Sequence, residues 1–513
     1  LLNKYNFYQH TFAITILFRN KSWIATTHFQ ITGRLSPCQD QQESLLETTF
    51  NISIGCNQCT ALSNMPMQNT EKNEHNILWT HFDTTPAISP YLATLIVSND
   101  LLHIYNDTSN IQMWCRNESR FHLEFAKNLA ENITLLFKNK WYQRSKNISN
   151  VTHVAIPNFH DNDITLFGLV IYKETDIISS KGLYPVAHDI EIAQLVGCKV
   201  AQEWFYDLMN NQSELWLNKG LITLIATYGV NKIYPDNRII NLFVVQNQHI
   251  SFYLDGDFHT WNSTSSDDNL LTIRKFIRAP FILRMMQIVR LYTNSKKSKL
   301  LSFQEDGWMI FNIQQIGYYR VNYDDENWRR ITNYLNSVNY MNIHVLNRAQ
   351  IIDDTFHLMI AGQLNSSIFW NITFYLHQEE DYIAWYPMFK ALEHMFNTFP
   401  VELSEQKVVI KIRNILNSVL RRFNYQEIDA SDDLRKCLRQ EAARWACFLG
   451  DFTCKKHANN ILKQHIIKPK THRFLPWWKE WTYCKGLMMI TTKNEIFWQS
   501  VYYIGWKKRT LNF

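Results

Sequence analysis

Cys198-Lys199-Val200-Ala201-Gln202-Glu203-Trp204-Phe205, followed shortly by Trp216-Leu217-Asn218-Lys219-Gly220, is the stretch on which the fold turns. Cys198 and Gln202 stand at i and i+4, so on a helix they share a face, as do Lys199 and Glu203. Two histidines at that spacing, with a glutamate between them, can share one zinc ion and supply a general base. A third protein ligand leaves one position open for water, whose pKa the metal brings down to about 7. The residue types here carry different chemistry. Cys198 alone could bind zinc as a thiolate, but one ligand does not hold a catalytic metal. Gln202 is a poor neutral ligand. Lys199 cannot accept a proton at neutral pH unless burial drives its pKa far down.

The framing residues resemble the zinc site of the membrane alanyl aminopeptidase (aminopeptidase N-like, gluzincin) family, which reads H-E-x-x-H-x-W-F and then W-L-N-E-G. Matching Trp204-Phe205 and Trp216-Leu217-Asn218 places Cys198 and Gln202 at the two histidine ligands, Lys199 at the catalytic glutamate and Lys219 at the third ligand. An ammonium at that last position repels a divalent cation by on the order of 4 kcal/mol per pair of unit charges at 4 Å and an effective dielectric of 20. The interval from Gln202 to Lys219 is also shorter than the family's, while Gly220 and Tyr228-Gly229-Val230 keep the match going.

The resemblance implies further losses. The family's G-A-M-E-N motif falls on Asn162-Asp163-Ile164-Thr165-Leu166, between Pro157-Asn158-Phe159 and Phe167-Gly168-Leu169-Val170-Ile171-Tyr172-Lys173-Glu174. Thr165 then stands where a glutamate grips the substrate's α-amine, and a neutral hydroxyl does not pair with an ammonium as a carboxylate does. Ile282-Leu283-Arg284-Met285-Met286 anchors Phe276 at the position of the transition-state tyrosine, without the hydroxyl that would donate to an oxyanion. His28 falls where the family has a substrate-contacting glutamine. Losing metal, base, amine anchor and donor together leaves no route for amide hydrolysis of the family type.

The chain has 513 residues, 46% hydrophobic and 19% charged, which suits a packed multidomain protein. No apolar run reaches the ~20 residues of a membrane span, so any membrane attachment is expected through segments outside this chain. The start, Leu1-Leu2-Asn3-Lys4, does not read as a signal peptide, which suggests a removed or missing N-terminus. The net charge of +6 is spread out, and Lys296-Lys297-Ser298-Lys299 is too short a cluster to suggest nucleic acid. Sequons at Asn20, Asn51, Asn106, Asn117, Asn132, Asn147, Asn150, Asn211, Asn262, Asn365 and Asn371 favour a glycosylated, extracellular or cell-surface protein. Cys56-Asn57-Gln58-Cys59 reads as a local disulfide in a turn. The resemblance implies a second bridge, Cys447 to Cys454, and a partner beyond Phe513 for Cys484. The nine cysteines are an odd count, so at least one is unpaired.

The expected architecture is multidomain α+β. Residues 1–110 read as strands, with Phe50, Ile52 and Ile54 alternating against Asn51 and Ser53, and resemble part of the family's N-terminal β-sandwich. Residues 111–300 resemble the thermolysin-like catalytic domain, with one helix expected from Cys198 to Leu208. Only about twenty residues separate Met286 from Trp308, so on the order of a hundred residues of a β-sandwich are missing. Gly317-Tyr318-Tyr319-Arg320-Val321-Asn322-Tyr323-Asp324, within 301–325, resembles that domain's last strands. Residues 326–513 show core-facing helix spacing, as in Ile352, Phe356 and Met359 or Phe389, Leu392, Met395 and Phe396, and resemble the start of a C-terminal superhelix of paired helices.

These readings imply an inactive aminopeptidase homologue, with no cofactor expected and a possible peptide or protein ligand. Lys219 is expected to approach Glu203, so that an ion pair fills the former metal space. An active zinc aminopeptidase would need other ligands, such as His188, His160 and Cys198. A third reading is an incomplete or nonfunctional gene product.

Overall fold

The computed structural model describes residues 14–19, 22–27, 47–89, 92–104, 111–140, 150–159, 165–180, 184–210, 215–256, 275–286, 307–398, 407–425, 432–468, 472, 475, 478–489 and 498–503. The chain forms two compact units: residues 1–179 with 189–235, and residues 180–188 with 236–513.

The first unit begins with strands β1 (Ile14–Arg19), β2 (Ser22–Thr27), β3 (Ser53–Cys56), β4 (Thr60–Ser63), β5 (Met67–Lys72), β6 (Leu78–Phe82) and β7 (Leu95–Ser98). They form two antiparallel sheets, ordered β1-β2-β7-β4 and β3-β6-β5, the sandwich-like layers expected. β5 is an edge strand exposed along its whole length, and its polar sequence MQNTEK, ending in a charged pair, suits an unpaired edge. The regular strand in this region starts at Ser53. Phe50 and Ile52 only exchange isolated backbone bonds with the 82–85 segment, and the Thr85 hydroxyl takes the Phe50 N–H.

Strands β8 (Leu101–His103), β9 (Ile111–Arg116), β10 (Val151–Ile156) and β11 (Leu169–Lys173) form a mixed sheet ordered β11-β10-β9-β8. β10 runs parallel to both neighbours and is buried throughout, so its sequence VTHVAI needs no polar alternation. Val154, Ile156, Leu169 and Ile171 share one core with Ile24, Leu62 and Ile96 of the first sheet. The helices of this unit are α1 (Glu124–Lys140), α2 (Glu174–Ile177), α3 (Val186–Trp204), α4 (Tyr206–Asn210) and α5 (Leu215–Ile233). The helix expected through Leu208 is broken: α3 stops at Trp204 and a turn at Phe205 leads into α4. Both Trp204 and Phe205 pack on the ring of Phe137, at 6.0 and 5.8 Å. On an uninterrupted helix, successive side chains diverge by about 100°, and the turn brings these two to the same ring.

The second unit contains α6 (Ile239–Phe243), α7 (His249–Gly256) and α8 (275–286), then an irregular stretch over 307–324. The helices α9 (Asp325–Leu335), α10 (Val345–Ile360), α11 (Ser366–Thr373), α12 (Tyr382–Thr398), α13 (Lys407–Phe423), α14 (Asp433–Phe448), α15 (Phe452–Ile467) and α16 (Lys479–Leu487) follow. They stack as pairs: α10 packs on α12 and α12 on α14, while α11 packs on α9 and α13 on the 3-10 turn after α11. Trp328, Ile352, Phe356, Phe369, Trp385, Leu392, Leu416 and Trp445 belong to their common core, which is the superhelical arrangement expected. Cys447 and Cys454 are bridged at the α14–α15 junction, as are Cys56 and Cys59 in the first unit.

The expected strands over 317–324 are absent, since no regular strand forms within 307–324. Without a neighbouring sheet, this backbone finds its partners in side chains. Asn312 takes the Gly317 N–H at 2.7 Å and donates to the Gly317 and Tyr319 carbonyls. Gln248 donates to Gly317, Arg284 to the Gln314 and Gln315 carbonyls, and Asp354 accepts from Val321. Those bonds tie 236–286 to the helical unit, so the division between units falls at Pro235 and Asp236 rather than near residue 300.

Candidate functional site

The site matched by motif rests on α3 and α5 of the first unit. α3 is apolar on its packed side, burying Ile192, Ala193, Val196, Gly197 and Val200. Gly197 lies against Val230 of α5, and the side chain of Asn218 donates to the Leu208 carbonyl at 3.0 Å. Position 197 facing 230, and 208 facing 218, sets the two helices antiparallel. Lys219 therefore sits at the end of α5 that meets the chain leaving α3. Cys198 and Lys199 are half-buried on α3, Gln202 is buried one turn after Cys198, and Lys219 is half-buried. A thiol, a neutral amide and an ammonium do not make a zinc donor set, and the catalytic base position carries a second ammonium. Among the described residues no group of three or more His, Cys, Asp or Glu is gathered as a metal site. His188 and Cys198 lie ten positions apart on α3, about 15 Å along the axis, so they cannot share an ion.

The segment that follows Thr165 is held by polar contacts that the motif comparison did not reveal. Gly168, at φ +73°, donates its N–H to the Glu203 carboxylate at 3.2 Å. Its carbonyl accepts from Thr152 at 3.1 Å, and Asn64 donates to the neighbouring Phe167 carbonyl at 2.9 Å. Asn64 also accepts the Thr94 N–H at 2.6 Å, so one buried amide joins three segments of the unit. Leu166 and Phe167 are buried, and the buried Thr165 hydroxyl oxygen has no hydrogen-bond partner among the described residues. Behind them, Tyr172 and His153 hydrogen-bond at 3.0 Å with stacked rings. Burial, then the Glu203 charge, raises the Tyr172 hydroxyl pKa, so it stays a neutral hydroxyl. Glu174 takes a bidentate contact from Arg116 at 2.9 and 2.5 Å and a third from Ser119 at 2.6 Å.

Phe276, at the position of the transition-state tyrosine, is half-buried on α8 in the second unit. His28, His160, Asp161, Asn162, Asp163 and Ile164 lie outside the described residues, as do the sequon asparagines Asn20, Asn106, Asn147, Asn211 and Asn262. Asn51, Asn117, Asn132, Asn365 and Asn371 are exposed and Asn150 is half-buried.

Three family profiles match the chain. The Peptidase M1 N-terminal domain covers residues 3–92, the Peptidase family M1 domain residues 125–266, and the ERAP1-like C-terminal domain residues 308–501. The chain belongs to the M1 aminopeptidase family as a divergent member. It is 22% identical to membrane alanyl aminopeptidase of Manduca sexta over 93% of this chain and 62% of that protein. It is 23% identical to aminopeptidase N of Bos taurus, over 91% and 62%. Identity to the thyrotropin-releasing hormone-degrading ectoenzyme of Homo sapiens is 21%, over 95% and 58%. The chain thus spans about three fifths of the length of these relatives. The match to the Manduca sexta protein runs over 616 positions, more than the 513 residues present, so that relative carries segments this chain lacks. No helix among the described residues is long and apolar enough to cross a membrane.

Proposed function

We propose that this chain is a catalytically inactive aminopeptidase N-like homologue, a pseudoenzyme that keeps the family's scaffold to bind a peptide or protein outside the cell. The observation that carries the reading is the state of α3 and α5. Both helices are formed and packed, yet Cys198, Lys199, Gln202 and Lys219 occupy the positions that bind and use the metal in active relatives. A zinc ion there would meet two ammonium groups and one anionic ligand at most. Thr165 and Phe276 remove the amine anchor and the oxyanion donor, so restoring a metal alone would not restore turnover. The exposed sequons and the two disulfides support a secreted or surface location.

The test is zinc content of purified protein by mass spectrometry, alongside hydrolysis of alanyl and leucyl amides. Substoichiometric zinc with no hydrolysis is expected. Stoichiometric zinc with turnover would replace the reading by an active zinc aminopeptidase that releases N-terminal residues. Calorimetric titration with a peptide panel tests the binding role, which is lost if no peptide gives heat.

A further inference from the structure

The second unit holds a cavity of about 770 Å³, within the range of ligand sites. It is lined by residues of α9, of α11 with its 3-10 turn, and of α13. Trp328, only 1% exposed, is part of its apolar lining, with Trp370 and the exposed ring of Phe374. Amide side chains supply much of the remainder, including Asn336 and Asn414. Asp325, Arg329 and Lys411 also line it, and aromatic faces beside amide and charged groups suit a polyhydroxylated ligand with one apolar face.

Two sequons are built into the wall of this cavity. Asn365-Ser366-Ser367 and Asn371-Ile372-Thr373 both place their asparagine among the lining residues. Asn365, Ile368, Asn371 and Phe374 all line the cavity, from the N-cap of α11 to the turn that follows it. Asn365 caps α11 through Oδ1, which accepts from Ser367 at 2.9 Å, so its Nδ2 is not spent on the cap.

We propose that Asn371 carries an N-linked glycan whose first N-acetylglucosamine residues lie in this cavity instead of projecting into solvent. The sugar's apolar face meets the aromatic lining of Trp370 and Phe374. A tethered ligand needs little affinity of its own, because attachment beside the cavity holds it at an effective concentration in the millimolar range. Covalent attachment makes the chain's own glycan the occupant. The inference rests on the secreted location proposed above.

The full chain, produced in a secretory eukaryotic host, is mapped by glycopeptide mass spectrometry and then treated with peptide-N-glycosidase in its folded state. Asn371 is expected to be occupied, and its glycan to be released at least tenfold more slowly than that at exposed Asn117. The difference should vanish after denaturation. Phe374→Ala, at a residue 56% exposed, should speed release from Asn371 without changing the unfolding midpoint by more than a few degrees. An empty Asn371 beside an occupied Asn117, or equal release rates in the folded protein, overturns the inference alone. No glycan at any sequon in the protein's native cells overturns the secreted location with it.

Discussion

Gly168 hands its backbone N–H to the carboxylate of Glu203, joining the segment before β11 to the last turn of α3. Glu203 is the one acidic residue of the 198–205 stretch and is 4% exposed. Glu203→Gln keeps the shape and removes the charge. A loss of about 1.5–3 kcal/mol at neutral pH is expected, the scale of a hydrogen bond to a charged group. Chemical denaturation followed by tryptophan fluorescence measures it. If Lys219 also serves this carboxylate, Lys219→Met in the Glu203→Gln background will cost less than it does alone, and additive losses would exclude that pairing.

Gly197 predicts a steric failure. A methyl group added there would come within 2.4 Å of the Val230 Cγ2, inside any tolerated contact. Gly197→Ala should destabilise the first unit by about 1–3 kcal/mol, the usual cost of overpacking. Adding Val230→Ala should recover much of it, and the double-mutant cycle reads the coupling directly.

The buried cluster on α10 governs pH dependence. Arg320 contacts both Asp353 and Asp354, while His249 and His357 approach Asp353 at 3.5 and 3.6 Å. Burial opposes ionisation of Asp353, but Arg320, His249 and His357 outweigh it and hold the group at about 2. Burial, with the Asp353 charge adding to it, pushes Asp354 up to about 7. Burial brings His357 down to about 4 against the pull of Asp353, with Arg320, His249 and His394 assisting. A histidine lowered on folding contributes stability that is complete above about 6.5 and is lost as pH falls through 4. A carboxyl raised on folding contributes stability that is complete below about 4 and is lost as pH rises through 7. The two effects oppose each other in one window. Asp354→Asn should therefore make stability climb more steeply with pH between 4 and 6.5, by up to about 1.4 kcal/mol per pH unit. His357→Gln should tilt the profile the other way. Denaturation midpoints across that window check both, and parallel profiles for the two variants would contradict the assignment.

Restoring the family's donors tests the metal argument. Cys198→His, Lys199→Glu, Gln202→His and Lys219→Glu together place two imidazoles and a carboxylate at the ligand positions, with a base between the histidines. The variant is expected to take up zinc where the parent does not, measured by competition with a colorimetric chelator. Amide hydrolysis should remain undetectable until Thr165→Glu and Phe276→Tyr are added. Zinc uptake no better than the parent's would show that the shortened 202–219 interval has moved the third position out of reach.

Much of this was legible in the chain itself. The helix at Cys198, the paired helices after residue 325 and the Cys447–Cys454 bridge follow from periodicity and from motif resemblance, which act over short stretches. The Phe205 turn was not, because it answers to the ring of Phe137, far away in sequence. Asn64 and the bond from Gly168 to Glu203 escaped notice, because both depend on backbone groups about 100 and 35 residues distant. The His249, Arg320, Asp353 cluster joins three separated segments, and no local pattern announces it. The resemblance of Gly317–Asp324 to a domain's last strands misled for a related reason: a strand needs a pairing neighbour, and here side chains take that place.

The stitching of residues 307–324 has a consequence for association. A stub whose amides and carbonyls are claimed by asparagine, glutamine, arginine and aspartate side chains offers no ladder on which a second molecule could grow. The helices on either side are spliced to it through Gln248, Arg284 and Asn347.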